Sequence, residues 1–472
     1  MTEISHFVRD DNYKIMLKLK KLSVILSGLS LLLVGGFGCK PPAQPVPPAT
    51  LEYWTVSEDL PSLQTLIESY KIDRPYLTIN IQQFRANEIY DRLLEALAED
   101  RGPDVISVDV KTLGQYLSKL QPMPESVIDS LVRVTKGQFS DTVDISNNSR
   151  PLLTLDQLGK QYVQTVASDA VRNGKIYGLP LSLDAMALYY NKELLDRAGI
   201  PEPPKNWQDF SADVKILSKF DKTTGRIIQA GAALGTGSNI PGSSDLLSIL
   251  FAQSKLPFAN YTQVLFNIPP RNAPGGETPG GQVMNFYTDF ANQARDTYSW
   301  NEQMPDALDS FVNGQLVFFF GYNYHRPIIK NRAPNLNFDI LPMLQLSDDH
   351  PINAANYSLQ SVLAKTKHSN EAWAMIDYLA HSGANKEYLK MTGKPTALRI
   401  NIADQKKIPE LAPFASQLLT AENWYRGKDF SATNKAIQDM FHEWVQPVSD
   451  EKVLQYHKDV LDRAAGKINQ TF

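Results

Sequence analysis

Cysteine is almost absent from this chain, since Cys39 is the one cysteine among 472 residues. A disulfide within the chain is therefore excluded, and cysteine usage does not reveal the redox compartment. Histidine is scarce as well: the seven histidines are scattered along the sequence without the spacing of metal ligands. The motifs HExxH, GxSxG and GxxxxGK[ST] do not occur. We therefore expect no metal site, no cofactor and no enzymatic activity.

The chain also lacks a strong net charge, because 47 Lys and Arg face 51 Asp and Glu, for a formal net charge of -4. Binding to nucleic acid through phosphate neutralisation has little support from such a balance. The hydrophobic content of 43% is ordinary for a globular protein. Because the length exceeds about 250 to 300 residues, the size at which one hydrophobic core stops growing, we expect two lobes.

The N-terminal segment combines basic residues with a short apolar run over residues 22–37. The run is shorter than the roughly 20 apolar residues of a bilayer span, which favours a signal peptide over a retained anchor helix. We predict the signal peptide over residues 1–38, with Met16 as the alternative start. The basic residues before the run are Lys14, Lys18, Lys20 and Lys21.

Cys39 stands where the apolar run ends, and a proline-rich stretch follows it as far as residue 50. This arrangement resembles a bacterial lipobox, in which the cysteine becomes the diacylated first residue of the mature protein. Two acyl chains anchor a protein stably, and the prolines favour an extended, semi-rigid spacer. The resemblance implies a lipidated Cys39 with a tether over 39–50, and a location at the cell surface, on the outer face of the cytoplasmic membrane.

From residue 51 onward, short apolar runs alternate with stretches of helical periodicity, which predicts an α/β fold with a mostly parallel sheet. Open α/β sheets bind ligands outside the carboxyl ends of their strands. Ser57, Glu58 and Asp109 follow predicted strands directly, so we expect them to face one crevice. The alternative for each of them is helix capping or a solvated turn.

Residues 174–210 read GKIYGLPLSLDAMALYYNKELLDRAGIPEPPKNWQDF. This segment resembles the crossover segment of family 1 extracellular solute-binding proteins, the maltose-binding-like group. Other segments resemble further motifs of the family in the same order, and the resemblance covers most of residues 51–400. These segments are Trp54 with the helix after it, Gly102-Pro103-Asp104-Val105-Ile106, Phe311-Val312-Asn313-Gly314-Gln315, and residues 361–380.

The resemblance implies a two-lobed α/β fold of the periplasmic-binding-protein type II, with hinge crossings and a ligand cleft between the lobes. The crossings are expected near residues 181–185 and 341–355. The predicted lobe boundaries are 51–182 plus 357–395 for lobe one, and 186–352 plus 396–472 for lobe two.

The resemblance also implies a set of ligand-binding residues from both lobes and the hinge. Asp184 lies on the crossover run where the family places a carboxylate that faces the ligand, and its alternative is a capping or solvated acid. The aromatic candidates have burial in a core as their alternative, because aromatic side chains are more often core than site. Besides Asp184, the predicted set is Ser57, Glu58, Asp109, Ser238, Asn239, Trp300, Tyr322, Tyr324 and Trp424.

The function that the resemblance implies is capture of a small polar ligand, a sugar or oligosaccharide, and its delivery to an ABC importer by hinge closure. The expected partners are this carbohydrate, the membrane subunits of the transporter and the membrane itself through the anchor, with the protein acting as a monomer. Three alternatives stay open: a solute sensor or adhesion module of the same fold, a polyamine or peptide as the ligand, and a secreted glycosidase that uses two carboxylates.

Overall fold

The computed structural model describes residues 46–136, 138, 142–260, 262–269 and 277–472. The predicted signal peptide, Cys39 and the first part of the predicted tether lie outside the described residues. Among the residues that are described, no helix is both long and apolar enough to cross a membrane.

In chain order, the strands of the described residues are β1 Ala49–Thr55, β2 Leu77–Gln83, β3 Val105–Asp109, β4 Leu120–Gln121, β5 Ser126–Thr135, β6 Thr142–Pro151, β7 Val171–Arg172, β8 Lys175–Ile176, β9 Leu179–Pro180, β10 Asp184–Ala185, β11 Ala187–Asn191, β12 Lys219–Phe220, β13 Ile227–Ala232, β14 Leu316–Gly321, β15 Phe338–Pro342, β16 Asn353–Asn356, β17 Ser358–Leu363 and β18 Ala421–Glu422.

The α-helices, also in chain order, are α1 Leu60–Lys71, α2 Ile89–Ala98, α3 Leu113–Tyr116, α4 Leu155–Gln161, α5 Gln164–Ala170, α6 Lys192–Arg197, α7 Trp207–Leu217, α8 Ser243–Gln253, α9 Pro279–Thr288, α10 Ala307–Val312, α11 His325–Arg332, α12 Ser369–Ala380, α13 Ser382–Thr392, α14 Arg399–Gln405, α15 Ala412–Ala415, α16 Phe430–Trp444 and α17 Asp450–Asn469.

Lobe one is built on a sheet in the order β2-β1-β3-β17-β4, with β9 also paired to β17. Strands β1, β2 and β3 run parallel, whereas β17 runs antiparallel to β3. Ser358, the first residue of β17, pairs with Asp109, the last residue of β3. The chain therefore re-enters lobe one at the carboxyl edge of β1 and β3, and it can cross the sheet only in the opposite direction. The sheet is mixed for this reason, rather than mostly parallel.

Lobe two is built on a sheet in the order β12-β13-β14-β11-β15. Strand β14 lies in its middle and is buried along its whole length. Phe318 and Phe320 pack in the core on one face, and Phe319 packs in the core on the other. Side chains alternate between the faces of a strand with a period of two, so a run of aromatic residues suits a strand that is covered on both sides.

A small sheet in the order β10-β16-β18 joins the lobes. Asp184 pairs with Asn356, and Ala354 pairs with Glu422. Strand β10 leads from lobe one to lobe two, β16 leads back, and β18 precedes the C-terminal helices of lobe two. The first two crossings therefore lie at β10 and β16, and a third lies at β18.

The segment from residue 396 to β18 contacts both lobes. Phe414 packs in a core of lobe two beside Tyr189, and several other apolar side chains of the segment pack in the core of lobe one. These side chains are Ala397, Leu398, Ile402, Ala415, Leu418 and Ala421. Helices α16 and α17 then pack in the core of lobe two through residues such as Ile437 and Leu461.

Strands β5 and β6 form a two-stranded ribbon of their own. Its outer part, residues 130–146, groups as a unit separate from the two lobes.

Candidate binding cleft between the lobes

A cavity of about 470 Å³ lies where the two lobes meet. Lobe one contributes a lysine, the hinge contributes an asparagine, and lobe two contributes the remaining walls. The lining includes Lys111, Asn356, Ser238, Asp245, Tyr322, Tyr324, Phe430 and Gln438. Of the residues predicted from the sequence, Ser238, Tyr322 and Tyr324 line this cavity.

The Asp245 carboxylate accepts hydrogen bonds from three side chains in the cleft. It lies in the first turn of α8, which begins after a glycine-rich turn whose Gly235 and Gly242 have φ values of 96° and 74°. Only residues without a Cβ adopt such values readily, and Gly242 thereby directs the start of α8 at the cavity. The Asp245 carboxylate accepts hydrogen bonds from Lys111 Nζ at 2.8 Å, Tyr322 Oη at 2.6 Å and Trp424 Nε1 at 2.6 Å.

Lys111 and Asp245 form an ion pair across the lobes, with side chains only 7% and 5% exposed. Burial opposes the charge of Lys111, but the nearby carboxylates of Asp245 and Asp109 outweigh it, and the lysine pKa is raised. Asp109 ends β3 and accepts the backbone N–H of Lys111 at 2.8 Å. Burial raises the pKa of Asp109, and the charge of Lys111 partly offsets this effect. Asp109 thus shapes the turn that carries Lys111.

Tyr322 and Tyr324 form an aromatic wall after β14. Their rings are stacked, with centroids 5.9 Å apart and an interplanar angle of 17°. Tyr322 is buried, whereas Tyr324 is 43% exposed. His325 accepts the backbone N–H of Tyr322 through Nδ1 at 2.9 Å. Burial lowers the pKa of His325 to about 4, so it is neutral at pH 7 and able to act as this acceptor.

Glu58 and Ser57 lie at the carboxyl edge of the lobe-one sheet, where the protein itself engages the Glu58 carboxylate and the Ser57 backbone carbonyl, while the Ser57 side chain is exposed. The buried Glu58 carboxylate accepts hydrogen bonds from Gln360 Nε2 at 3.1 Å, Lys394 Nζ at 3.4 Å and the Tyr388 hydroxyl. Lys394 also donates to the backbone carbonyl of Ser57 at 2.8 Å. These hydrogen bonds hold the loop after β1 against Gln360, Tyr388 and Lys394.

Asp184 lies on the hinge strand β10, and its carboxylate accepts the backbone N–H of Ala185 at 2.9 Å. Burial raises its pKa to about 7, which the backbone N–H groups of Ala185, Asn323 and Tyr324 and the charge of Lys394 partly oppose. These contacts tie the hinge strand to the loop that carries the aromatic wall.

The remaining predicted residues lie away from the cavity wall. Trp300 is fully buried in a lobe-two core, where its indole N–H donates to Asn239 Oδ1 at 3.1 Å. Asn239 Nδ2 in turn donates to the carbonyls of Asn301 and Met304, so the pair braces a loop inside lobe two. Trp424 is half-buried and reaches the site through its bond to Asp245.

Sequence reasoning missed Lys111 and Asp245. The signal for Lys111 is its place two residues after the strand end at Asp109. The signal for Asp245 is its place in the first helical turn after the glycine-rich turn that also carries Ser238. Neither signal predicts that the side chains of Lys111 and Asp245 form an ion pair.

Two sheet-based lobes, three crossings through a hinge sheet and a polar cavity between the lobes define a two-lobed binding protein. The sequence profile of the bacterial extracellular solute-binding protein family matches this chain over residues 54–386. The chain belongs to this family. The expected resemblance to family 1 is thereby confirmed.

Individual relatives agree with this membership. A putative binding protein of Brucella abortus (strain 2308) is 23% identical over 298 residues, which are 61% of this chain and 68% of the relative. The multiple sugar-binding protein of Streptococcus mutans serotype c is 22% identical over 362 residues, which are 73% of this chain and 81% of the relative.

Solved structures share the fold. A cyclo/maltodextrin-binding protein complexed with maltotetraose superposes with a TM-score of 0.66 at 14% identity, covering 91% of this chain and 98% of that one. The cyclic alpha-maltosyl-1,6-maltose binding protein of Arthrobacter globiformis gives a TM-score of 0.66 at 16% identity, covering 90% and 99%. The two-lobed fold expected from the sequence is confirmed.

Proposed function

We propose that this protein binds a neutral sugar or oligosaccharide in the cleft between its lobes and delivers it to an ABC importer. The observation that carries the proposal is the buried ion pair of Lys111 with Asp245 in the cavity wall, beside an exposed aromatic ring. Asp245 accepts hydrogen bonds from three donors, and Asp306, which also lines the cavity, accepts the backbone N–H of Leu308 at 2.9 Å.

The charge pairing favours an uncharged ligand. A polyamine would have to compete with Lys111 for Asp245, and a phosphate or carboxylate would have to draw Lys111 away from it. Each exchange breaks a buried ion pair, and the group left behind without a partner destabilises the site strongly. A neutral ligand leaves the pair intact.

The remaining surface of the cavity suits a sugar. The 43% exposed ring of Tyr324 offers a flat apolar face to the C–H surface of a pyranose. Ser238, Asn356 and Gln438 bring hydroxyl and amide groups to the same cavity, and such groups match sugar hydroxyls, which are costly to bury unpaired. The ligands of the related proteins, multiple sugars and maltotetraose among them, support the same class.

Delivery from the cell surface is the second part of the proposal. Cys39 carries the lipid anchor and the proline-rich stretch before β1 acts as the tether, which the sequence pattern at 22–48 supports; Ala49 and Thr50, predicted as its last residues, belong to β1. Replacing Cys39 with serine should release the protein from the membrane fraction and abolish labelling by a fatty-acid analogue. Retention of both in the variant would contradict the anchor.

The ligand class is tested by thermal unfolding of the full chain with mono- and oligosaccharides, polyamines and peptides. A ligand present at about 100 times its dissociation constant stabilises the native state by about 2.7 kcal/mol. We expect a sugar to raise the unfolding midpoint of the wild type, and Tyr324→Ala to remove most of that rise.

Phe220→Ala is the matched control for Tyr324→Ala. Phe220 is 39% exposed and its ring stacks on Tyr298 at 5.6 Å, but it lies on the edge strand β12, away from the cavity. The control should keep the full response to the sugar. Stabilisation by polyamines or peptides alone would refute the neutral sugar, and no response to any ligand would favour a sensor or adhesion module.

A further inference from the structure

We propose that Asp245 is a positioning residue with two roles: it holds the aromatic side chains of the cleft in place, and it accepts the lysine of lobe one when the lobes close. Its carboxylate receives one donor from lobe one and two donors from lobe two. The proposal rests on the proposed function only where ligand affinity is used as a readout.

The two lobe-two donors hold aromatic rings. Tyr322 follows β14 and donates its hydroxyl to Asp245 at 2.6 Å, and Trp424 follows β18 and donates its indole N–H to the other carboxylate oxygen at 2.6 Å. Tyr322 carries the stacked ring of Tyr324. Both bonds lie within lobe two, so they persist whether the lobes are apart or together.

The lobe-one donor is available only when the lobes are together. Lys111 extends from the turn after β3, and its ammonium group lies 2.8 Å from the same oxygen that accepts from Tyr322. A buried carboxylate is stabilised when it gains a cationic partner. Closure therefore brings a charge to a carboxylate that already holds the aromatic wall, so one side chain serves both the wall and the contact between the lobes.

A second ion pair across the lobes provides an internal control. Arg426 Nε donates to the buried Asp169 of α5 at 2.9 Å. Neither residue lines the cavity, whereas Arg426 and Trp424 line a neighbouring pocket together. Loss of this pair should loosen closure while leaving Tyr322 in place.

The experiment compares full-chain wild type with Asp245→Ala, Asp245→Asn, Lys111→Met and Arg426→Gln. Small-angle X-ray scattering without ligand measures closure, and hydrogen exchange of the peptides that contain Tyr322 measures the aromatic wall. We expect a larger radius of gyration in Asp245→Ala, Lys111→Met and Arg426→Gln than in the wild type. Exchange should accelerate in Asp245→Ala alone, and Asp245→Asn, which keeps an acceptor oxygen, should restore most of the protection.

Ligand affinity adds a coupling test. Lys111→Met should weaken sugar binding by about 5- to 150-fold, the usual range of coupling between two sites, and the double variant with Asp245→Ala should bind no more weakly than Asp245→Ala itself. Arg426→Gln should instead add its effect to either variant.

Two results would overturn the proposal: exchange in Asp245→Ala that is no faster than in Arg426→Gln, or scattering in which Lys111→Met and Asp245→Ala are as compact as the wild type. If no sugar binds even the wild type, the ligand class of the proposed function fails, while scattering and exchange still decide the role of Asp245. Circular dichroism shows whether Asp245→Ala is folded, and Lys111→Met with Asp245→Asn gives the same comparison if it is not.

Discussion

Gly114→Ala should prevent the lobes from closing without disturbing either lobe. A Cβ added at Gly114 would lie 2.9 Å from the carbonyl carbon of Gly427, closer still to its oxygen, and 3.4 Å from Lys428 Cα. Gly114 belongs to α3 of lobe one. Gly427 and Lys428 follow the third crossing, and Lys428 is bonded to Thr471 at the end of lobe two. All three of the nearest atoms are therefore across the cleft, and lobe one itself has room for the methyl group.

The size of the effect follows from the distance that the lobes must open. Cβ atoms essentially never approach other atoms to within 3.0 Å, so the backbone at Gly427 has to move away. An opening on the order of 1 Å takes the 2.8 Å contact between Lys111 and Asp245 past the ~3.2 Å limit of a good hydrogen bond. A hydrogen bond to a charged group contributes about 1.5 to 3 kcal/mol, which is about a 10- to 150-fold loss of ligand affinity if closure depends on it.

Isothermal titration calorimetry with the sugar found by thermal unfolding measures this loss, and small-angle scattering measures the failure to close. Gly159→Ala in α4 is the control, because its added methyl group would meet no described atom within 4 Å. Both variants should unfold at about the wild-type temperature without ligand, and only Gly114→Ala should lose affinity and compactness. Wild-type affinity in Gly114→Ala would refute the reasoning, since the backbone contact would then be unnecessary for the bound state.

Two further predictions concern stability. Burial raises the folded-state pKa of Asp184 from 3.8 to about 7, so the native state binds more protons than the unfolded state between these values and stability falls as the pH rises through them. Asp184→Asn should flatten this dependence in urea unfolding compared at about pH 4.5 and about pH 7.5, on either side of the raised pKa, and an unchanged difference between the two pH values would count against it. Trp373 of α12 is fully buried in the core of lobe one, so Trp373→Ala should lower the free energy of unfolding by about 3 to 5 kcal/mol. The exposed Leu454→Ala of α17 should stay within about 0.5 kcal/mol of wild type in the same urea titration, and equal losses in the two variants would contradict the assignment of the core.

The crossover segment shows how much of the fold local signals can predict. Asparagine before an apolar helical stretch is a helix-cap signal, and the Asn206 side chain accepts the backbone N–H of Asp209 at 2.8 Å at the start of α7. Glycine after a helical stretch is a stop signal, and Gly199 has a φ of 72° after α6. A cap satisfies a backbone group three residues away, and a helix stop needs only one left-handed residue. The local sequence carries everything that these features require.

The third crossing is a feature that local sequence signals cannot predict. Helix α14 packs on lobe one, and α15 packs on lobe one through Ala415 and on lobe two through Phe414. Strand β18 of the hinge sheet follows. The strand is two residues long, Ala421–Glu422, and it forms because β16 is beside it in the hinge. No periodicity can develop over two residues, so neither the strand nor the boundary could be predicted from the segment itself.

Asp184 and Asp245 differ in how far the sequence predicts their roles, and the reason is related. Asp184 is the preferred polar contact from the sequence because it lies on the crossover run where the family places a carboxylate, whereas Asp245 resembles any acid in the first turn of a helix. The structure distinguishes them by their donors: those of Asp245 come from Lys111, Tyr322 and Trp424, at sequence separations of 134, 77 and 179 residues. A role that depends on groups from both lobes exists only after the lobes have formed and met. The local sequence around Asp245 could place it near the cleft, but only the tertiary contacts could show that the cleft closes on it.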